Sequence, residues 1–303
     1  MMHTRIIKVH TTLEGEGFEV QRPFPVEGLS QIDPFLLIDQ IGPKTMLANN
    51  RIGTDWHPHR GFETVSYNIR GTSDHLDTLG NEGHMEPGDV QWMTAGSGVI
   101  HKEGPKKVNF NEENQDKEVF SIQLWVNLPK ANKMDPPKYQ DMRTDEIPSV
   151  NIGDVVIKII AGNAFGIESH TNTFTPIVYA HISKDKSSKK YNKESFFSVI
   201  DPDHNVIILP LVGTISGKLY DSAIGEIKNF TIAKGHTFVA SGIDKIEFEE
   251  PDITEDGTDV LLLTGKPIGE PVVRYGPFVM NSAEEVQQAF EDFRAGKMGE
   301  IPA

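Results

Sequence analysis

The chain has no cysteine among its 303 residues, which excludes disulfides, thiolate zinc knuckles, iron–sulfur clusters and thiol nucleophiles together. It also lacks an apolar run long enough to span a bilayer. Positive charge is scarce, and the formal net charge of −15 argues against nucleic-acid binding, which needs a positive surface. The N-terminal segment lacks the apolar core of a signal peptide. We therefore expect a cytoplasmic protein, with neither nucleic acid nor membrane among its partners.

Strand signals dominate the rest of the sequence. The segment Val119–Val126 is rich in β-branched and aromatic residues, and its apolar positions alternate with polar ones until Trp125 interrupts the polar side. Short segments of this kind recur between Gly, Asn, Asp and Pro turns, which is typical of antiparallel sandwiches and barrels. The turn pattern of residues 70–96 returns in similar form over residues 212–242. The sequence therefore predicts a mainly β protein that contains two copies of one barrel.

The expected domain boundaries follow from proline content and from this repeat. We expect residues 1–134 to form a first barrel, residues 135–148 a proline-containing linker, and residues 149–303 a second barrel that carries a short C-terminal helix. The basic stretch Lys184–Lys193 is interpreted as a solvated loop.

The C-terminal helix is indicated by its start signal and its period. Ser282 followed by Glu285 forms a capping box. Apolar residues then recur at i, i+3, i+4 and i+7, namely Val286, Ala289, Phe290 and Phe293. An amphipathic helix of this kind needs a cover for its apolar face, and a barrel wall is the expected partner.

Two pairs of residues with a one-residue gap are candidate metal ligands, His57 with His59 and His101 with Glu103. Residues i and i+2 of a strand point to the same face, so each pair can aim two side chains at one point. Pro58 favours an extended His57 and a strand start or bulge. Two such strands side by side would supply three imidazoles and one carboxylate, which suits a transition metal better than Ca or Mg. The alternative is a set of unrelated surface histidines.

Other side chains compete for the same roles. Glu63 lies four residues after His59 and could share its face, whereas His75 and His84 flank a turn and are expected to be exposed. The histidines of the second half are scattered, so the second barrel is expected to be metal-free. Three bulky residues could either line an aromatic pocket or pack in the core, and they are Trp92, Met93 and Trp125.

The segments HPHRGFETV (57–65) and PGDVQWMTAG (87–96) resemble the signatures of the pirins, a family within the cupin superfamily. Segments 33–37, 123–128 and 276–281 match as well, so the resemblance covers nearly the whole chain. It implies a bicupin, that is, two tandem cupin β-barrels, with one mononuclear metal in the N-terminal barrel only. The resemblance carries the ligand roles onto His57, His59, His101 and Glu103. Glu63 occupies the place of a carboxylate ligand in other cupins. It is kept as a candidate that contacts the metal ligands without binding the metal itself.

Pirins resemble quercetin 2,3-dioxygenases, so the resemblance implies a metal-dependent dioxygenase. Such an enzyme opens the heterocycle of a flavonol, or of a similar small aromatic enol, with O2 and releases carbon monoxide. Fe(II) is the leading metal, with Ni, Cu, Mn, Co and Zn as alternatives. Glu103 is expected to serve both as a ligand and as the base that takes the substrate hydroxyl proton.

The resemblance leaves other functions open. The main alternative is a non-enzymatic, iron-dependent redox-sensing regulator that binds a protein partner such as a transcription factor. A third possibility is a cupin isomerase that uses Zn as a Lewis acid. A monomer is expected in each case.

Overall fold

The computed structural model of the protein describes residues 1–15, 17–46, 53–104, 117–187, 195–251 and 257–301. The chain forms two compact units. We call them the N-terminal barrel unit (Thr11–Thr144 with Ile268–Ala303) and the C-terminal barrel unit (Met1–His10 with Asp145–Pro267). Among the described helices, none is long and apolar enough to cross a membrane.

The N-terminal barrel unit contains two antiparallel sheets, a β-hairpin and a helix. Its elements, numbered along the whole chain, are β2 (His10–Glu14), β3 (Phe18–Phe24), β4 (Phe35–Met46), β5 (His57–His59), β6 (Phe62–Arg70), β7 (Ser73–Asp77), β8 (Glu82–Met85), β9 (Val90–Thr94), β10 (Val99–Gly104), β11 (Lys117–Asn127), a 3₁₀ helix (Lys130–Asn132), β12 (Lys138–Met142), β25 (Val273–Tyr275), β26 (Phe278–Met280) and α1 (Ala283–Arg294). A seven-stranded sheet has the order β12-β9-β6-β11-β4-β3-β2, and a four-stranded sheet has the order β5-β10-β7-β8.

The C-terminal barrel unit repeats this arrangement of one large and one small sheet. Its strands are β1 (His3–Lys8), β13 (Ser149–Ile152), β14 (Val155–Ala161), β15 (Asn163–Ala164), β16 (Ile167–Glu168), β17 (Ile177–Lys184), β18 (Ser195–Val199), β19 (Asn205–Val212), β20 (Thr214–Asp221), β21 (Glu226–Ala233), β22 (His236–Ser241), β23 (Lys245–Glu249) and β24 (Thr258–Gly265). Seven strands form the sheet β1-β22-β19-β24-β17-β14-β13, and four form the sheet β18-β23-β20-β21. Both sheets contribute to one apolar core. The prediction of a mainly β protein with two copies of one barrel is confirmed.

Strand β11 shows how the sequence pattern produces the barrel wall. Phe120, Ile122 and Leu124 are buried on one face. Gln123 lies on the opposite face and, together with Trp125, lines an internal cavity. The aromatic residue that interrupts the polar side of the pattern is therefore a cavity residue rather than an exception to the strand.

Helix α1 begins as the capping box predicts. The Ser282 hydroxyl accepts a hydrogen bond from the Glu285 backbone N–H, and the Glu285 carboxylate accepts one from the Ser282 N–H. The helix packs in a cluster with Phe278 and with Ile100 of β10. Ile100 and His101 are adjacent in the strand and point to opposite faces, so the helix covers the back of the strand that carries His101.

The predicted domain boundaries differ from these units in three places. Residues 3–8 form strand β1, which pairs with β22 in the C-terminal barrel unit. Residues 138–142, which were assigned to the linker, form β12 and pair with β9. The C-terminal segment from residue 268 onward, with its helix, belongs to the N-terminal barrel unit. The interpretation of the basic stretch Lys184–Lys193 as a solvated loop is wrong for Lys184, which is the last residue of β17, is buried and forms an ion pair with Glu250 at 2.8 Å. Residues 188–193 lie outside the described residues.

Candidate metal centre

Two short paired strands bring three histidines together. Strands β5 and β10 are antiparallel, and their register places His101 directly opposite His57. The ring centroids of His57 and His101 lie 4.4 Å apart, those of His57 and His59 lie 4.7 Å apart, and those of His59 and His101 lie 5.0 Å apart. One ring nitrogen of each histidine lies within 4.8 Å of the others. The alternation predicted from the one-residue gaps therefore produces one cluster of three potential ligands.

The tight turn after β5 is held by a glycine. Gly61 has a φ of +87°, a conformation that other residues rarely adopt, and a Cβ at this position would lie 2.0 Å from the Val279 carbonyl oxygen. The Lys133 ammonium donates hydrogen bonds to the Gly61 carbonyl (2.7 Å) and to the Val279 carbonyl (3.0 Å). The C-terminal segment is thereby fastened next to the strand that carries the first two histidines.

Burial keeps the imidazoles in the form that can bind a metal. His59 and His101 are 3% and 1% exposed. Burial, followed by the electrostatic interaction with the neighbouring imidazole of His57, lowers the pKa of both rings well below 6.5, so both are neutral at pH 7. The Nδ1 atom of His57 lies 2.8 Å from the Asp55 carbonyl oxygen, which can only accept. His57 Nδ1 therefore carries a proton, so Nε2 is the ring nitrogen that could bind a metal.

His101 supplies the clearest sign that these residues fit a metal ion. Both of its ring nitrogens are buried, and within the described residues neither has a hydrogen-bond partner. A buried polar atom without a partner costs about 1–3 kcal/mol. Coordination of one nitrogen would remove part of this cost. Neutral imidazoles in a cluster of three are also the donor set that transition metals prefer.

Glu103 lies on the same strand as His101 and lines the same cavity as His57 and His59. Its carboxylate is not part of the three-histidine cluster. It accepts hydrogen bonds from the Ser66 hydroxyl (3.0 Å) and from the Gln123 amide nitrogen. Glu103 is thus held at the edge of the cluster by two polar residues of the large sheet.

Ser66 and Gln123 belong to a row of polar side chains that crosses the large sheet. The strand registers place Asp39 opposite Gln123, Gln123 opposite Ser66, Ser66 opposite Gln91, and Gln91 opposite Asp141. Each of five neighbouring strands contributes one residue. Sequence reasoning missed this row because no local signal links residues that are up to about 100 positions apart; only the strand register does.

His75 continues the polar network next to Glu103. It lies opposite Glu103 in the pairing of β7 with β10. The expectation of an exposed hairpin residue is wrong, since His75 is 4% exposed, whereas His84 is exposed as expected. The Gln91 amide nitrogen lies 2.7 Å from His75 Nδ1, and the imidazole stacks on Tyr139 at 5.1 Å. Burial lowers the pKa of His75.

Glu63 takes a different position from the one expected of a residue that supports the ligands. On β6 it alternates with Thr64, whose face continues into the cavity-lining Ser66 and Asn68. Its carboxylate is 1% exposed and accepts a hydrogen bond of 2.7 Å from Thr94. Burial raises its pKa to about 7, against the opposing effect of that hydrogen bond. The structure therefore directs Glu63 away from the cavity.

The cavity has a volume of about 610 Å³, within the range that accommodates small organic ligands. Its wall combines apolar and aromatic side chains with a few charged ones. The Trp125 ring packs against His59 at 5.2 Å and against Phe62 at 4.3 Å, so an aromatic surface adjoins the histidines. Trp125 thus lines the cavity, whereas Trp92 and Met93 are buried.

Charged residues form one part of the cavity wall. The Arg22 guanidinium binds both oxygens of Asp39, at 2.7 and 2.5 Å, and also contacts Glu14 at 2.5 Å. The Arg274 guanidinium carbon lies 4.5 Å above the Trp125 ring. Two cations and two carboxylates therefore share this region, next to the aromatic surface.

Another group of potential ligands lies in the C-terminal barrel unit, and its members are Asp201, Asp203 and His204. Lys266 already forms an ion pair with Asp203 at 2.9 Å, and His204 Nδ1 lies 3.1 Å from the Thr264 hydroxyl. Both carboxylates are exposed. This group is a solvated charged turn in which Lys266 already pairs with an acid, unlike the histidine cluster of the N-terminal barrel unit, where His59 and His101 are buried.

Comparisons with known proteins agree with the fold. The family model for pirin matches residues 17–126, and the model for the pirin C-terminal cupin domain matches residues 190–299. The chain is 38% identical over 294 residues to pirin from Mus musculus, which covers 94% of this chain and 90% of the mouse protein.

Two solved structures extend the comparison. Quercetin 2,3-dioxygenase from Acinetobacter baumannii superposes with a TM-score of 0.82 at 30% identity, over 98% of both chains. A bacterial pirin from Escherichia coli, solved in complex with nickel(II), superposes with a TM-score of 0.60 at 15% identity, over 88% of this chain and 100% of the other. The latter likeness shows the shared fold.

Proposed function

The chain belongs to the pirin family of bicupins, and we propose that it is a metal-dependent dioxygenase that opens the heterocycle of a flavonol such as quercetin with O2 and releases carbon monoxide. The observation that carries this proposal is the cluster of three imidazoles, of which His57 and His59 line the same aromatic-walled cavity as the Glu103 carboxylate. The likeness to a quercetin 2,3-dioxygenase at 30% identity supports it.

In this proposal His57, His59 and His101 hold one divalent transition metal. The bound metal would supply a Lewis acid for the substrate oxygens and a redox-active centre for O2. Fe(II) is the leading candidate. The unpartnered nitrogens of His101 and the hydrogen bond that occupies Nδ1 of His57 support this assignment.

Glu103 is proposed as the base that takes the proton of the flavonol 3-hydroxyl. Its carboxylate lines the cavity and lies outside the histidine cluster, which leaves it available to substrate. Ser66 can support both protonation states. Its oxygen lies 3.0 Å from Glu103 and 2.9 Å from the Gln123 carbonyl oxygen, and its single proton can serve only one acceptor at a time. Once Glu103 is protonated, Ser66 can donate to Gln123 and accept from Glu103.

The cavity wall is suited to a flat aromatic substrate. Trp125 offers a ring face next to His59, and burial of such a ring against an aromatic substrate excludes water from the reacting atoms. The apolar part of the wall would contribute affinity through the hydrophobic effect, at about 25 cal/mol per Å² of apolar surface removed from water. Glu103 and the histidines would then fix the orientation of the enol group.

The test is aerobic turnover of quercetin by protein loaded in turn with Fe, Ni, Co, Cu and Mn. We expect oxygen uptake and carbon monoxide release with at least one metal. His101→Ala should lose both the metal and the activity. His84→Ala, which removes an exposed histidine of the same unit, is the matched control and should keep both. Absence of oxygen uptake and of carbon monoxide with all five metals would refute the proposal.

The variant Glu103→Gln separates the two roles of this residue. If Glu103 is the base, the variant keeps its metal while kcat falls about 100-fold or more. Loss of the metal would instead make it a ligand.

The regulatory alternative stays a prediction, and it requires that the Fe(II) and Fe(III) forms differ in affinity for a partner protein. The zinc isomerase also stays a prediction, which metal analysis of the isolated protein would test.

A further inference from the structure

Arg274 is a cation with no carboxylate at ion-pair distance among the residues that the structure describes. It lies on the cavity wall, on strand β25. Its Nη1 atom is buried and, in the described part of the chain, has no hydrogen-bond partner. An arginine has five N–H donors in a planar fork, and a buried donor that is left unpaired is costly. This donor is therefore left unsatisfied by the described residues, and an acceptor bound in the cavity beside Arg274 could pair with it.

The neighbouring acids are occupied by the other arginine. Arg22 takes both oxygens of Asp39 in a bidentate pair and also binds Glu14. Burial opposes this charge, yet the hydrogen bonds with Asp39 and Glu14 outweigh burial and hold the pKa of Arg22 above its usual value. Burial and the nearby Arg22 instead lower the pKa of Arg274. The two cations of one cluster thus differ, and Arg274 is the one whose charge is poorly compensated.

The position of Arg274 places it within reach of a substrate bound at the histidines. Its guanidinium carbon lies 4.5 Å from the centre of the Trp125 ring, and the His59 ring packs against the same indole at 5.2 Å. The guanidinium and the His59 ring are therefore separated by no more than about 10 Å through Trp125. A fused aromatic molecule that lies along the Trp125 surface can reach both.

We propose that Arg274, supported by Trp125, is a specificity-determining residue that binds a carboxylate on the far end of the aromatic enol substrate. This inference rests on the proposed function for the enol group of the substrate, which binds near the histidines. It adds the chemical group at the opposite end of the substrate. A carboxylate matches the guanidinium fork in two parallel hydrogen bonds, which a neutral hydroxyl cannot do. The physiological substrate class is then an anionic aromatic enol, and quercetin is a neutral analogue of it.

The first experiment measures binding without turnover. The metal-loaded full-length protein is titrated anaerobically by calorimetry with 2-naphthoate and with 2-naphthamide, which differ only in charge and in one donor. We expect the carboxylate to bind about tenfold tighter or more, the gain typical of hydrogen bonds to a charged group. Arg274→Gln should reduce this preference to threefold or less and leave naphthamide binding unchanged, which shows that the cavity is intact. Arg274→Lys should recover part of the preference.

The matched control is Arg70→Gln. Arg70 also lines the cavity and lies over an aromatic ring, at 4.7 Å from Phe120. Its buried Nε has no well-oriented hydrogen bond among the described residues, but its charge is compensated by a carboxylate oxygen of Glu118 at 2.8 Å. This variant should keep the preference for naphthoate. A preference that survives in Arg274→Gln would mean that the carboxylate binds elsewhere, for example at the metal, and would overturn the inference. Equal affinity of the parent protein for the two probes would overturn it as well.

A second arm separates this inference from the proposed function. Oxygen uptake is measured with 3-hydroxyflavone and with its 4′-carboxylate derivative. We expect kcat/KM to favour the carboxylate in the parent protein and to lose that advantage in Arg274→Gln. If naphthoate is preferred through Arg274 but neither flavonol is consumed, the carboxylate subsite stands and the dioxygenase proposal fails. If both flavonols are consumed equally and naphthoate is not preferred, the dioxygenase proposal stands and the carboxylate subsite fails.

Discussion

The buried carboxyl of Glu63 should make the stability of the N-terminal barrel unit depend on pH. Its pKa is about 7 in the folded protein, against an ordinary value of 4.5, because burial disfavours the charged form. The folded state therefore binds the Glu63 proton more tightly than the unfolded state does. This contribution is fully present below pH 4.5 and is lost as the pH rises through 7. Glu63→Gln removes the titration and keeps an oxygen that can accept from Thr94.

The size of the effect follows from linkage. A shift of one pKa unit corresponds to 1.36 kcal/mol, so the shift of Glu63 amounts to about 3 kcal/mol in total, of which about 2.5 kcal/mol falls between pH 5 and pH 8. The free energy of unfolding of the parent protein, minus that of Glu63→Gln, should fall by this amount over that range. Any histidine contribution to the pH dependence is common to both proteins and cancels in the difference.

The chain offers a suitable probe for this measurement. All three of its tryptophans, Trp56, Trp92 and Trp125, belong to the N-terminal barrel unit. Urea unfolding followed by tryptophan fluorescence therefore reports on the unit that contains Glu63. Both proteins are stripped of metal so that metal release does not contribute. Glu82→Gln, at an exposed position of β8, is the control and should follow the parent at every pH. A difference between the parent and Glu63→Gln that stays constant from pH 5 to pH 8 would refute the reasoning.

Two further predictions concern the C-terminal segment. Asp292→Ala should lower the free energy of unfolding of the N-terminal barrel unit by about 3–5 kcal/mol. The Asp292 carboxylate lies 2.8 Å from the buried guanidinium of Arg60, and the substitution leaves that guanidinium without its anion. A loss below 1 kcal/mol in urea unfolding would contradict this. Ser282→Ala should cost about 1 kcal/mol by removing the N-cap of α1, while Ser282→Asp should restore most of it, and equal stabilities of the two variants would show that the cap is unimportant.

The metal-ligand strands were predictable because their signal is local. Side chains two residues apart share a face of any strand, so the histidine pair and the His101–Glu103 pair could be assigned before the fold was known. The pairing of the two strands could be expected, but the register could not. The register places His101 opposite His57 and leaves Glu103 beside Ser66 and Gln123, outside the histidine cluster.

The position of Glu63 shows where local reasoning fails. Its spacing from His59 is compatible with a shared site, but the turn at Gly61 separates the two strands. Glu63 then occupies the alternate face of β6, where Thr94 is its partner. One residue of displacement along a strand reverses the direction of a side chain, so spacing across a turn does not determine which face is used.

The sequence by itself determined the mainly β fold, the repeat of one barrel, the capped C-terminal helix and the spacing of the candidate ligands. Each of these depends on periodicity or on turn residues over a few positions. Only the tertiary structure decided that residues 3–8 complete the sheet of the C-terminal barrel unit and that the segment after residue 268 belongs to the N-terminal barrel unit. It also decided that Arg274 reaches the Trp125 ring. These contacts join residues more than 100 positions apart, and their energy comes from burial and register that no local pattern records.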